Sequence, residues 1–351
     1  MYFASDNSSG AHPKIMEAVQ KANADYAMPY GSDPIMDEVR QQIRDIFEAP
    51  EAAVYLVATG SAANALALAC MCQPWQTIFA HREAHIEVDE CGAPMFYTGG
   101  AKIELIDGDD AKLSPAALHA AIEKTGQLGV HNPQRGPLSL TNLTEAGAAY
   151  TPAEVRALAD VAHSFGVGVH MDGARFTNAL VATGASAAEM TWKAGVDAVS
   201  FGGTKNGCLG VEAVILFDPK VAWEFELRRK RGGHLFSKHR YLSAQMNAYL
   251  KDDLWLEMAR HANAMGKRLS DGILNIEGGE LLHPTDANQV FARWPRKGHQ
   301  KAHEAGAAYY FWPFDHDLAG DPDALLGARA VASWSTTERD VDTFLELISG
   351  G

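Results

Sequence analysis

From residue 50 to about 220, short apolar runs alternate with longer stretches that carry a helical period. The runs at 53–59, 77–80, 167–171, 198–201 and 213–217 are short and mostly apolar and predict strands, and the alternating Lys102–Ile106 predicts another. Helices fit between them. Residues 62–72 are rich in Ala and Leu. Ser114-Pro115 supplies a capping hydroxyl and a first-turn proline for a helix to about 124. Thr151-Pro152-Ala153-Glu154 is a capping box that opens a helix to about 165, and Gly166 stops it. Strands separated by helices of this length imply βαβ units and a mostly parallel sheet. Ligands of such sheets bind beyond the carboxyl ends of the strands.

The pattern changes after Asp218. A charged helix at 223–231 ends at Gly232-Gly233, and a long helical stretch follows at 242–272. Strands at 288–294, 306–311 and 329–334 and a last helix at 337–348 read as a smaller α+β unit. The expected organisation is therefore an α/β chain of two parts. Residues 1–240 form an N-terminal segment and a large domain, and 241–351 form a small C-terminal α+β domain.

Composition narrows the function. At 47% hydrophobic and 21% charged residues, the chain has the make-up of an ordinary globular enzyme. Its net charge of −14 argues against nucleic acid or an anionic membrane as partner, since both need a basic footprint. A small anionic substrate stays open, because local fields decide that. The start, Met1-Tyr2-Phe3-Ala4-Ser5-Asp6-Asn7, has no basic region followed by an apolar stretch, and no signal peptide is expected. Cys70, Cys72, Cys91 and Cys208 form no disulfide framework and no C-x-x-C pair. A cytoplasmic protein with reduced thiols is expected.

Chemistry gathers where strands turn into loops. Asp172 ends one strand in His170-Met171-Asp172-Gly173-Ala174-Arg175, and Lys205 follows the next in Phe201-Gly202-Gly203-Thr204-Lys205-Asn206-Gly207. An amine able to form a Schiff base, with an acid to hold a pyridinium nitrogen, is the minimum equipment for pyridoxal phosphate chemistry. Taken singly, Lys205 also reads as a solvated charge and Asp172 as a helix cap. Arg175 can offer its planar fork to a phenolate or carboxylate, or form a surface ion pair. Gly60 and Ser61 join a strand to a helix N-terminus, where a phosphate fits. His81 and His85 stand at i, i+4 and could hold a metal on a helix, but no third ligand is apparent, and no metal is expected. Alternatively His85 is an aromatic lid over a flat cofactor, with Glu90 as an acid–base group.

In order along the chain, these segments resemble the low-specificity L-threonine aldolases of the threonine aldolase/aromatic amino acid β-eliminating lyase family. The resemblance runs from Phe3-Ala4-Ser5-Asp6-Asn7 to Arg329-Ala330-Val331-Ala332-Ser333-Trp334. It implies the fold type I architecture of pyridoxal phosphate enzymes, which is aspartate aminotransferase-like. It also implies roles. Lys205 carries the cofactor as an imine, Asp172 pairs with the pyridine nitrogen, and His85 stacks on the ring and is a candidate for proton transfer. Gly60, Ser61 and Ala62 hold the phosphate with help from Thr204. Ser5, Arg175 and Arg329 bind the substrate carboxylate. Tyr30 lines the site from a neighbouring subunit, and Lys230 and Lys238 reach the neighbour's phosphate. Thr144 stands where many members have a second histidine that contacts the substrate hydroxyl.

The implied reaction cleaves L-threonine or L-allo-threonine to glycine and acetaldehyde in a homotetramer, a dimer of dimers. The base is His85, Glu90 or a water held by either. Two alternatives stand beside it. One is the same cofactor acting mainly on phenylserine or 3-hydroxyaspartate, or by β-elimination. The other is a non-catalytic binding protein on this scaffold.

Overall fold

Seven strands form the first sheet in the computed structural model, which describes residues 1–314 and 317–349. They are β1 (Ala53–Val57), β2 (Gln76–His81), β3 (Lys102–Ile106), β4 (Gln134–Thr141), β5 (Val169–Gly173), β6 (Ala198–Gly202) and β7 (Glu212–Leu216). Their order is β1-β7-β6-β5-β4-β2-β3. β7 runs antiparallel to both its neighbours, and every other pairing is parallel. β5, β6 and β7 are buried at every residue, which is why they read as unbroken apolar runs. β4 sits near the centre of the sheet but carries Gly136-Pro137, and its sequence did not announce a strand.

Helices pack on this sheet where their caps predict. Ser114 accepts from the Ala117 N–H at the head of the helix Pro115–Lys124. Thr151 and Glu154 form the expected capping box at Pro152–Ser164.

The predicted helix at 242–272 is two helices, Arg240–Leu250 and Leu254–Leu274. Asp252 and Asp253 break it with φ of +53° and +56°, a left-handed turn that aspartate tolerates better than most residues.

Four antiparallel strands form the second sheet, β10-β11-β9-β8, from β8 (Glu280–Leu281), β9 (Gln289–Pro295), β10 (Tyr310–Phe311) and β11 (Leu325–Val331). The strand expected at 306–311 is thus only Tyr310–Phe311. The one expected at 329–334 begins four residues earlier and stops at Val331. Trp294, Phe344 and Ile348 build its core together with Phe3 from the chain start. Leu242, Met246, Trp255 and Met258 belong instead to the core of the first sheet. The expected division between 240 and 241 therefore cuts through packed side chains. Hydrophobic contacts assign the N-terminal strip to the small unit and residues 242–258 to the large one. Among the described residues, no helix is long and apolar enough to cross a membrane.

β2, β4, β5 and β6 are parallel, and β7, antiparallel to both β6 and β1, leaves β1 running the same way, so the carboxyl ends of these five strands meet at one edge. Gly60, His85, Glu145, Asp172 and Lys205 all stand at or just beyond that edge.

Candidate active site

The turn after β1 starts the helix Gly60–Met71, with Thr59 as its cap. The Thr59 hydroxyl accepts from the Ala62 N–H at 3.3 Å, so that N–H is engaged. Gly60 and Ser61 keep the leading N–H groups, which have no partner inside a helix. A Cβ at Gly60 would meet nothing within 4 Å, so the helix start faces open space.

One turn into this helix, Asn64 is buried. Its amide donates to Glu90 Oε1 at 2.8 Å and to Asp172 Oδ2 at 2.9 Å. Asp172 Oδ1 accepts from the Ala174 N–H at 3.0 Å. His85 Nδ1 donates to Glu90 Oε1 at 2.9 Å. The polar atoms of His85, Glu90 and Asp172 lie within 4.8 Å of one another, so three segments of the chain converge on one point. The Glu90 bond holds the His85 imidazole above its ordinary pKa; burial works against it and loses. His170, two residues before Asp172 on β5, is fully buried between the hydroxyls of Ser139 and Ser200. Burial pushes it down to about 4, so it adds no charge beside Asp172.

Lys205 lies in the turn after β6 and is only part-buried. Its amine makes no hydrogen bond or ion pair among the described residues. Its charge is felt by Asp6, His85, Glu145 and Glu212. His85 and Glu145 each feel the charges of both Lys205 and Asp172.

Below the turn, Glu212 accepts from the Gly203 N–H at 2.8 Å and bonds the Thr204 hydroxyl. That hydroxyl also accepts from the Val211 N–H at 3.1 Å. Burial raises the Glu212 carboxyl to about 7. Thr204 is thus spent on shaping the turn.

Arg175 forms a buried two-pronged pair with Asp6, Nε to Oδ2 at 2.7 Å and Nη2 to Oδ1 at 2.9 Å. Asn288 adds a third donor to Asp6 at 3.2 Å. Only Nη1 of Arg175 lies outside the pair. Arg329 differs: its Nε is buried and has no partner, and its guanidinium lies 5.2 Å from the centre of the Tyr310 ring. Burial and the neighbouring Arg175 pull its pKa below the usual value. An incoming carboxylate would relieve both effects. Ser5 uses its hydroxyl locally, accepting from the Asn7 N–H at 3.1 Å.

The family model for beta-eliminating lyases matches residues 2–295. The chain belongs to the beta-eliminating lyase family. Within reach of this family are two low-specificity L-threonine aldolases. The one from a Pseudomonas species is 38% identical over 97% of this chain and 94% of its own length. The one from Pseudomonas aeruginosa is 37% identical over 98% and 95%. The solved structure of Leishmania major threonine aldolase superposes with a TM-score of 0.91 at 25% identity, over 99% of this chain and 98% of that one. A serine palmitoyltransferase structure with a pyridoxal phosphate internal aldimine matches at TM-score 0.72 and 15% identity, over 100% and 86%, and shows the shared fold. The architecture is thus the α/β fold type I of this family.

Two residues singled out in the sequence turn away from the site. Thr144 offers no free hydroxyl: it donates to the Asp110 carbonyl at 2.8 Å and accepts from the Ala148 N–H at 3.1 Å. Its neighbour Glu145 takes the field of the site instead. His81 does not join His85, because its ring bonds the Gly108 carbonyl and the Glu83 N–H.

Tyr30, Lys230 and Lys238 are exposed on the single chain. Lys230 lies over the Tyr30 ring at 4.8 Å, and the Tyr30 N–H donates to the Ser237 carbonyl. They form one surface patch.

Asn64, Asp6 and Glu145 were not assigned from sequence. Asn64 had a legible signal: it is a lone amide in a helix otherwise built of Gly, Ser, Ala, Leu, Cys and Met, and a buried amide needs partners.

Proposed function

We propose that this family member is a pyridoxal 5′-phosphate-dependent aldolase. It cleaves L-threonine or L-allo-threonine, and related L-β-hydroxy-α-amino acids, to glycine and an aldehyde. One observation carries the proposal: a lysine amine without a partner among the described residues and a buried, hydrogen-bonded aspartate beside His85 stand at the carboxyl ends of the adjacent parallel strands β6 and β5. The names of the full-length relatives support the reaction.

The residues present suit this cofactor. Asp172 is a buried carboxylate whose oxygens keep lone pairs beyond the Asn64 and Ala174 bonds, as a protonated ring nitrogen requires. Gly60 and Ser61 offer free N–H groups at a helix start for the phosphate. Lys205 offers the amine. When bound, the cofactor would tie up the substrate amine and draw the electrons of the Cα–Cβ bond into its ring.

The chain's own residues do the rest. Arg329 holds the substrate carboxylate through its unpaired Nε, and Arg175, fixed by Asp6, adds Nη1 beside it. Holding the carboxylate sets which bond to Cα stands ready to break, a positioning effect. His85, held in place by Glu90, would lie over the ring when the cofactor is bound. Tyr30, Lys230 and Lys238 act across a subunit boundary, so the working form is a homotetramer or at least a dimer. The four cysteines, all free, suit a reducing cytoplasm.

The test is product analysis. Purified protein with added cofactor receives L-threonine, L-allo-threonine, phenylserine and 3-hydroxyaspartate. Glycine and the matching aldehyde in equal amounts support the proposal. Ammonia and a 2-oxo acid without glycine would replace it with β-elimination. Cofactor binding without any product would leave a binding protein.

A further inference from the structure

On the aldolase reading above, we propose that Glu145 is the base that takes the proton from the substrate's β-hydroxyl. It stands in the turn after β4, and its backbone surroundings are fixed. Thr144 is held by Asp110 and Ala148. Asn142 Oδ1 accepts from the Tyr150 N–H, and Asp286 Oδ2 accepts from the Ala149 N–H. Within this turn the Glu145 carboxylate alone takes no hydrogen bond among the described residues. It is only partly exposed, it stands just beyond Thr141, which pairs with Asp172 across β4 and β5, and it feels the charges of groups from three other segments. His85 comes from the turn after β2, Asp172 and Arg175 from the end of β5, and Lys205 from the turn after β6.

The other candidates are occupied. His85 Nδ1 is bound to Glu90, and that bond raises the ring above its ordinary pKa, toward the form that has no lone pair to offer. Glu90 Oε1 already accepts from both Asn64 and His85, and its Oε2, though without a partner, is shut in with the rest of a fully buried side chain. Thr144 has spent its hydroxyl on the loop. Glu145 remains as a carboxyl group with free lone pairs. Burial raises its carboxyl, while His85, Lys205 and Arg175 pull the other way, and the balance stays above the ordinary value. A carboxylate raised in this way is a stronger base nearer neutral pH.

The step balances without any further reactant. The O–H bond breaks and its proton moves to a Glu145 oxygen. The freed pair forms the second C–O bond of the aldehyde as the Cα–Cβ bond breaks. Its electrons stay with the glycine half, which is completed by a proton delivered to Cα from Lys205 or water.

The experiment compares wild type, Glu145→Gln and Glu145→Asp as holoenzymes. Three quantities are read: cofactor affinity by visible absorbance, exchange of the glycine α-hydrogen in deuterated water, and kcat for threonine cleavage across pH. Glycine has no β-hydroxyl, so its exchange does not need this base. Glu145→Gln is expected to keep affinity and exchange within about threefold while kcat falls on the order of 10²–10⁴-fold. It should also lose the acid limb of the pH–kcat profile. Cleavage within threefold of wild type would overturn the proposal, and so would an equal loss of exchange and cleavage. If the glutamine variant does not fold, Glu145→Asp decides. A lowered kcat with the acid limb kept supports the role, and an unchanged kcat refutes it. Wild-type enzyme that releases no aldehyde would bring down the aldolase reading itself.

Discussion

Asn64 and Asp172, 108 positions apart in the chain, meet through one 2.9 Å hydrogen bond from the Asn64 amide to Asp172 Oδ2. The same amide reaches Glu90, so one neutral side chain separates two buried acids. Replacing it leaves the carboxylates facing each other without a donor. Asn64→Ala should cost about 1–3 kcal/mol of stability, the scale of a buried acceptor left unpaired. It should also weaken cofactor binding by about tenfold or more, since a tenfold change needs only about 1.4 kcal/mol. Thermal melting and an absorbance titration of the cofactor check both.

Asp6 and Arg175 make the second buried charge arrangement. Burial pushes the Asp6 carboxyl up, but Arg175 outweighs it and holds the group below its ordinary 3.8. A depressed folded-state pKa gives stability that is present above 3.8 and is lost as pH falls through the lower folded value. Asp6→Asn leaves a buried guanidinium without its counter-charge and should destabilise by about 3–5 kcal/mol. Acid unfolding of this variant should begin at higher pH than in wild type. Equal acid midpoints would contradict the pairing.

The His85–Glu90 pair runs the other way. The Glu90 hydrogen bond raises His85 above 6.5. Its stabilisation is therefore full below 6.5 and is lost as pH rises through the raised folded value. The stability gap between wild type and Glu90→Gln should be largest in mild acid and shrink toward alkaline pH. Urea melts at several pH values measure it.

Arg329 is expected to act on binding of the ground state as well as the transition state, because the substrate carboxylate does not change during cleavage. Arg329→Ala should raise KM for L-threonine on the order of 10²-fold with a smaller change in kcat, the signature of lost uniform binding. Glycine affinity, followed by its effect on the cofactor spectrum, should fall in parallel.

Much of this was legible in the sequence, and the illegible part has a physical pattern. Helices with an exposed cap, such as Pro115–Lys124 and Pro152–Ser164, were found because a cap acts within one turn of chain. β4 was missed because Gly136-Pro137 interrupts its apolar run. The helices Pro13–Ala22 and Pro34–Ile46 carry the same cap-and-proline signal, at His12 and Asp33, and went unread. In the site, Lys205 and Asp172 are marked by their own segments. Asn64, Asp6 and Glu145 are not. Asp6 and Arg175 lie 169 positions apart, and only the packing of the N-terminal turn against the end of β5 brings them together. Thr144 shows the converse. Its place in the sequence pointed to the substrate, while its side chain turned to its own loop.

The most direct measurement is borohydride reduction of the cofactor-loaded protein, followed by peptide mass mapping. The account predicts one phosphopyridoxyl adduct, on the peptide holding Lys205, with both adduct and visible band lost in Lys205→Ala. An adduct on another lysine, or an undiminished one in that variant, would contradict it.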